Sequence, residues 1–94
     1  MKIYLVKQES YVDGEYLFNV VPCKDLATAQ AVLREEKETL LTEGHFAEAK
    51  DYIEGRKPLE DCTYKWSGGE NVFYIEDLCD DYSEFIEIEE KTLK

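Results

Sequence analysis

The chain has 94 residues, of which 44% are hydrophobic and 13% aromatic, enough apolar material for one core and too much for a disordered polymer. Twenty-two acids against 11 bases give a formal charge of −11, which disfavours direct contact with nucleic-acid phosphates or an anionic membrane surface. The excess is uneven: residues 1 to 34 balance four acids with four bases, whereas Trp66 to Glu90 holds nine acids and no Lys or Arg.

At the N-terminus only Ile3 to Val6 is apolar before Lys7, too short for a secretory signal or a membrane span, so a cytoplasmic protein is expected. Cys23, Cys62 and Cys79 are odd in number and widely spaced, without a Cys-x-x-Cys pair. Reduced, mostly buried thiols are therefore expected rather than a disulfide framework or zinc knuckle.

Lys2 to Gln8 and Glu15 to Val21 are rich in β-branched and aromatic residues and read as strands. Asp13-Gly14 between them is a hairpin signal, because both residue types tolerate the positive φ of a type I′ turn. That two-residue turn pairs Glu9 with Phe18 and Ser10 with Leu17, which leaves a longer loop open as the alternative. Pro22 closes the second strand, and Asp25 is placed to cap a helix starting at Leu26. Leu26, Ala29, Leu33 and Leu40, flanked by Val32 and Leu41, form its apolar side. Gly44 interrupts the pattern, and Phe46, Ala49 and Ile53 restart it before Gly55, giving either a second short helix or a kinked continuation.

Cys62 to Trp66 alternates apolar and polar residues as a third strand. Gly68-Gly69 read as a two-residue turn would pair Ser67 with Glu70, Tyr64 with Phe73 and Cys62 with Ile75. Asn71 to Glu76 is then strand four. After a turn around Asp77 to Ser83, Glu84 to Glu89 is strand five, with Ile86 and Ile88 inward and Glu87 and Glu89 outward. The order β-β-α-(α)-β-β-β, strands on either side of a helical middle, predicts one α+β domain over residues 1-94: an antiparallel sheet of about five strands with helices packed on one face. Strand 1, 2 or 5 at a sheet edge would offer a route to a homodimer.

The opening Met-Lys-Ile-Tyr-Leu-Val, the hairpin, and Leu-Ala-Thr-Ala-Gln-Ala entering the helix resemble the start of short uncharacterised bacterial and phage proteins of β-β-α-β-β type. The resemblance covers about the first third of the chain. It implies a fold and no activity, so no functional residue is carried over.

No catalytic constellation, cofactor motif or metal signature is assembled in the sequence. Glu76, Asp77, Asp80 and Asp81 cluster around Cys79 on a turn, where oxygen ligands could hold calcium or magnesium, but the spacing fails the EF-hand template. His45 is the sole histidine and hence the sole imidazole acid-base candidate; beside Gly44 at a helix junction, an exposed or capping role is the commoner one. Cys23 near a helix start lacks a base partner. Ser67-Gly68-Gly69-Glu70 lacks the Lys and Ser/Thr of a phosphate loop, and the tyrosines lack the basic groove that single-stranded nucleic acid requires. Glu70, Glu76, Asp77, Asp80, Asp81, Glu84, Glu87, Glu89 and Glu90 remain as the expected interaction surface of a non-enzymatic module for a basic protein partner. The alternatives are a DNA-mimicking inhibitor or immunity-like protein of a mobile element, and a calcium- or magnesium-dependent binder or enzyme using Asp77, Asp80, Asp81 and His45.

Overall fold

The computed structural model describes residues 1–93. Its strands are β1 (Lys2–Val12), β2 (Glu15–Cys23), β3 (Tyr64–Gly68), β4 (Val72–Asp77) and β5 (Tyr82–Thr92), with helices α1 (Leu26–Thr42) and α2 (Ala49–Ile53) and a 3-10 turn at Leu59–Asp61. All neighbours pair antiparallel in the order β2-β1-β5-β4-β3. The α+β fold expected from the element order is the one observed. The edges are β2 and β3. Of the three strands expected as possible edges only β2 is one, because β1 is paired on both sides, with β2 and β5, and β5 likewise with β1 and β4.

The first hairpin uses the two-residue turn after all. Asp13 and Gly14 have φ of 52° and 85°, the conformation a type I′ turn demands, and Glu9 opposes Phe18 while Ser10 opposes Leu17. Polar-against-apolar pairing is tolerated because Glu15 to Val20 is exposed on both faces of the sheet. No buried layer selects the register there, so the turn does.

α1 begins where the sequence places it. Asp25, in extended conformation, accepts from the Thr28 backbone N–H at 2.7 Å, satisfying one of the unpaired donors of the first turn. Ala29, Leu33 and Leu41 are its buried residues, with Leu40 only partly buried and Leu26 exposed. The helical pattern divides into two helices rather than one kinked one. α1 ends at Thr42, Gly44 follows at positive φ, and α2 is a single short turn and a half.

Strict alternation along the strands sends Val6, Phe73, Ile75 and Ile86 towards the helices, where each is 3% exposed or less. These side chains pack with Ala29, Leu33, Leu41, Phe46 and Ala49 as the core. Among the described residues no helix covers the other face of the sheet.

The second hairpin differs from expectation. Trp66 opposes Ile75, Ser67 opposes Tyr74 and Gly68 opposes Phe73, so the turn lies at Glu70-Asn71 and is closed by the Gly69 N–H donating to the Val72 carbonyl at 2.9 Å. The strand pairing thus slides by four residues relative to a Gly68-Gly69 turn. Gly68 serves a different purpose: a Cβ there would lie 2.6 Å from the Val72 carbonyl oxygen and 3.1 Å from Phe73 Cα. The glycine permits two backbones to approach closely where the strand ends.

Candidate functional site

Three features rise above ordinary packing, all fixed by the sheet register. The first lies on the helix-facing side of the sheet. β5 presents Glu84 towards the helices between Ser10 on β1 and Ile75 on β4. Its Oε1 accepts from the Ser10 hydroxyl and from Gln8 Nε2, while Oε2 is buried with no partner among the described residues. Glu84 is 6% exposed. Burial pushes its carboxyl pKa up and the nearby Glu36 adds to the shift, against the hydrogen bonds from Ser10 and Gln8.

A carboxyl that binds its proton more tightly when folded contributes stability below the unfolded carboxyl pKa of about 4.3, and that contribution is lost as pH rises through the folded value. Glu84→Gln should therefore gain on the parent chain as pH rises from 4 to 8 in paired urea titrations, the amide keeping the contact to Ser10. Parallel pH curves for the two chains would remove this assignment.

The second feature is one turn of sheet further along. The segment between α1 and α2 lays His45 over the β4–β5 end of the sheet. Its ring stacks on Tyr82, with centroids 3.8 Å apart and planes at 8°, and meets Phe46 edge-on. Packing thereby fixes the direction of Nε2, which lies 2.7 Å from Asp77 Oδ2 and 4.0 Å from Asp80 Oδ2. Asp77 is 8% exposed, and its Oδ1 accepts from the Cys79 N–H at 2.9 Å. Burial alone would raise the Asp77 pKa, but the backbone N–H groups of Cys79 and Asp80, together with His45, hold it below the ordinary aspartate value.

The third feature is β2. Tyr16, Leu17, Phe18 and Val20 are 49, 58, 52 and 37% exposed, and no charged residue lies between Tyr16 and Cys23. Phe18 and Val20 share the helix-free face of the sheet with Leu5, Phe85 and Tyr74, as the pairing registers dictate. Leu17 projects from the opposite face.

The nine acidic residues singled out in the sequence do not form one face. Asp77, Glu84 and Glu90 point to the helix side, Glu76, Glu87 and Glu89 to the open side. Glu70 sits at the β3–β4 turn, and Asp80 and Asp81 at the β4–β5 turn, which occupies the opposite end of the sheet. Glu89 is paired with Lys7 and Glu90 with Lys2, so both carboxyl pKa values are lowered. Strand alternation is the cause: runs such as Glu76-Asp77 and Glu89-Glu90 place consecutive acids on opposite sides.

Asp77 and Asp80 are brought together with His45, whereas Asp81 stays outside the group. Ser10, Gln8, Leu17, Phe18 and Val20 were not marked by local sequence. The available signal for β2 was its uncharged run Tyr16 to Val21, which lacks the alternation expected of a strand with one watered face. The thiols are disposed less uniformly than expected: Cys23 is buried, Cys62 half-buried and Cys79 exposed. Among the described residues no helix is long and apolar enough to cross a membrane. No protein-family model, curated protein or solved structure matches the chain.

Proposed function

We propose that the chain is a non-enzymatic protein-interaction module that binds by strand addition at β2, and that the added strand is β2 of a second copy. The observation that carries this reading is an edge strand of nine residues with exposed apolar side chains on both faces and no charge from Tyr16 to Cys23. Edge strands that must stay single are ordinarily shortened, charged or interrupted by proline. The opposite edge, β3, follows that rule, with only five residues and a charged one, Lys65, as the second of them. β2 does not follow it before Pro22.

Charge distribution favours a second copy as the occupant. The whole chain repels its like at −11, yet residues 1 to 34, which include β1 and β2, are balanced. β2 is thus the long edge at which self-repulsion is weakest. Antiparallel pairing about a two-fold axis through Phe18 sets Tyr16 against Val20 and Leu17 against Asn19, joining the two sheets into one of ten strands. Pro22, lacking an N–H, ends the paired segment.

Light scattering over a dilution series should give twice the 11.0 kDa chain mass at high concentration. Val20→Lys, at a partly exposed site, should keep the native circular dichroism and return the mass of one chain. A single-chain mass for the parent at every concentration, or an undiminished dimer for the variant, overturns the proposal.

A further inference from the structure

We infer that His45, Asp77 and Asp80 form a binding site for a divalent transition-metal cation of the zinc class, independent of strand addition at β2. One imidazole nitrogen and two carboxylate oxygens from three residues lie within 4.8 Å of one another. Ligand atoms about 3.3 Å apart are what tetrahedral bonds of about 2.0–2.1 Å require, and the separations of Nε2 from the two oxygens, 2.7 and 4.0 Å, bracket that value. Asp80 is on an exposed turn, its side chain 60% accessible, so the longer distance can close by a side-chain rotation.

The imidazole separates this group from the other carboxylates of the region. Stacking on Tyr82 and the edge contact with Phe46 hold the ring so that Nε2 is aimed at Asp77 Oδ2, 2.7 Å away, a hydrogen bond that a shared cation would replace. Asp77 Oδ1 is engaged by a backbone N–H, which orients the carboxylate from outside the ligand set. Among the described residues no Lys or Arg pairs with Asp77 or Asp80; their only cationic neighbour is His45, charged only when protonated. A cation would supply the missing positive charge to a carboxylate that is nearly buried. The nitrogen donor sets the class, because calcium and magnesium take oxygen ligands in sets of six or more whereas imidazole with carboxylate suits zinc and its neighbours. Water would complete the coordination on the exposed side.

The test is Zn2+ binding to the full chain carrying Cys62→Ser and Cys79→Ser, since accessible thiols also take zinc. Calorimetric titration should give one ion per chain, and saturation about a hundredfold above Kd should raise the melting temperature by about 5 °C or more. Mg2+ and Ca2+ at millimolar concentration should leave it unchanged. His45→Gln should weaken Zn2+ affinity at least about tenfold, as should Asp80→Asn, whose exposed position keeps the fold intact if the histidine variant is unstable. Absence of Zn2+ binding, parental Zn2+ affinity in both variants, or an equal response to Mg2+ or Ca2+ overturns the inference.

Discussion

Ile86→Ala should lower the unfolding free energy by about 2–5 kcal/mol, the range for removing a buried large aliphatic side chain. Ile86 has no solvent exposure and sits mid-strand in β5, with Gln8 of β1 on one side and Phe73 of β4 on the other. β5 is the third of five strands, so no edge is near to relax into the vacated space. The lost methyl groups therefore leave a cavity between sheet and helices rather than a dent at the surface. In a chain of this size the change corresponds to a fall of about 10 °C or more in melting temperature. A loss below about 1 kcal/mol in urea unfolding would mean that the side chain is solvated and the core wrongly located.

Gly68→Ala and Gly69→Ala should part company. The new Cβ at 68 meets the Val72 carbonyl oxygen at 2.6 Å and Phe73 Cα at 3.1 Å. Both are backbone atoms, so no side-chain rotation relieves them, and a cost of about 1–3 kcal/mol is expected. At 69 nothing lies within 4 Å and φ is ordinary. Alanine there should be neutral or gain up to about 1 kcal/mol by restricting the unfolded chain. A type I′ turn at Gly68-Gly69 needs positive φ at both positions and would penalise both variants. Equal losses would therefore restore the register expected from the sequence and refute the one described.

These two sites mark where sequence reasoning succeeds and where it stops. β4 and β5 were legible because Phe73, Ile75 and Ile86 alternate with polar or half-buried residues, and alternation depends only on the pleat. Asp25 and Asp13-Gly14 were legible because caps and tight turns are satisfied within a few residues. Gly68-Gly69 was misread because two local rules give glycine the same appearance: one allows positive φ, the other a close approach to a neighbouring backbone. The choice between them depends on Trp66 settling opposite Ile75, a contact nine residues away.

The candidate site divides in the same manner. Asp77 and Asp80 stood out as part of an acidic turn, and His45 as the sole histidine, yet no local pattern joins residues 32 positions apart. They meet because the segment after α1 folds over the β4–β5 turn and stacks His45 on Tyr82. The supposed single acidic face fails for a reason already present in the spacing. Glu76 and Asp77 are adjacent in a strand, and adjacent strand residues point to opposite sides. Glu84 likewise looked like a surface acid until pairing with Ser10 and Ile75 put it under the helices.

Amide hydrogen exchange along β2 probes the proposed self-pairing at the atoms it requires. Followed at high and low protein concentration, the N–H groups of Tyr16, Phe18 and Val20 should slow together as the protein associates, and should exchange fast in Val20→Lys at either concentration. Rapid exchange of all three at a concentration where the β1 amides are protected would mean that the outer side of β2 faces only water, and the proposed pairing would be wrong.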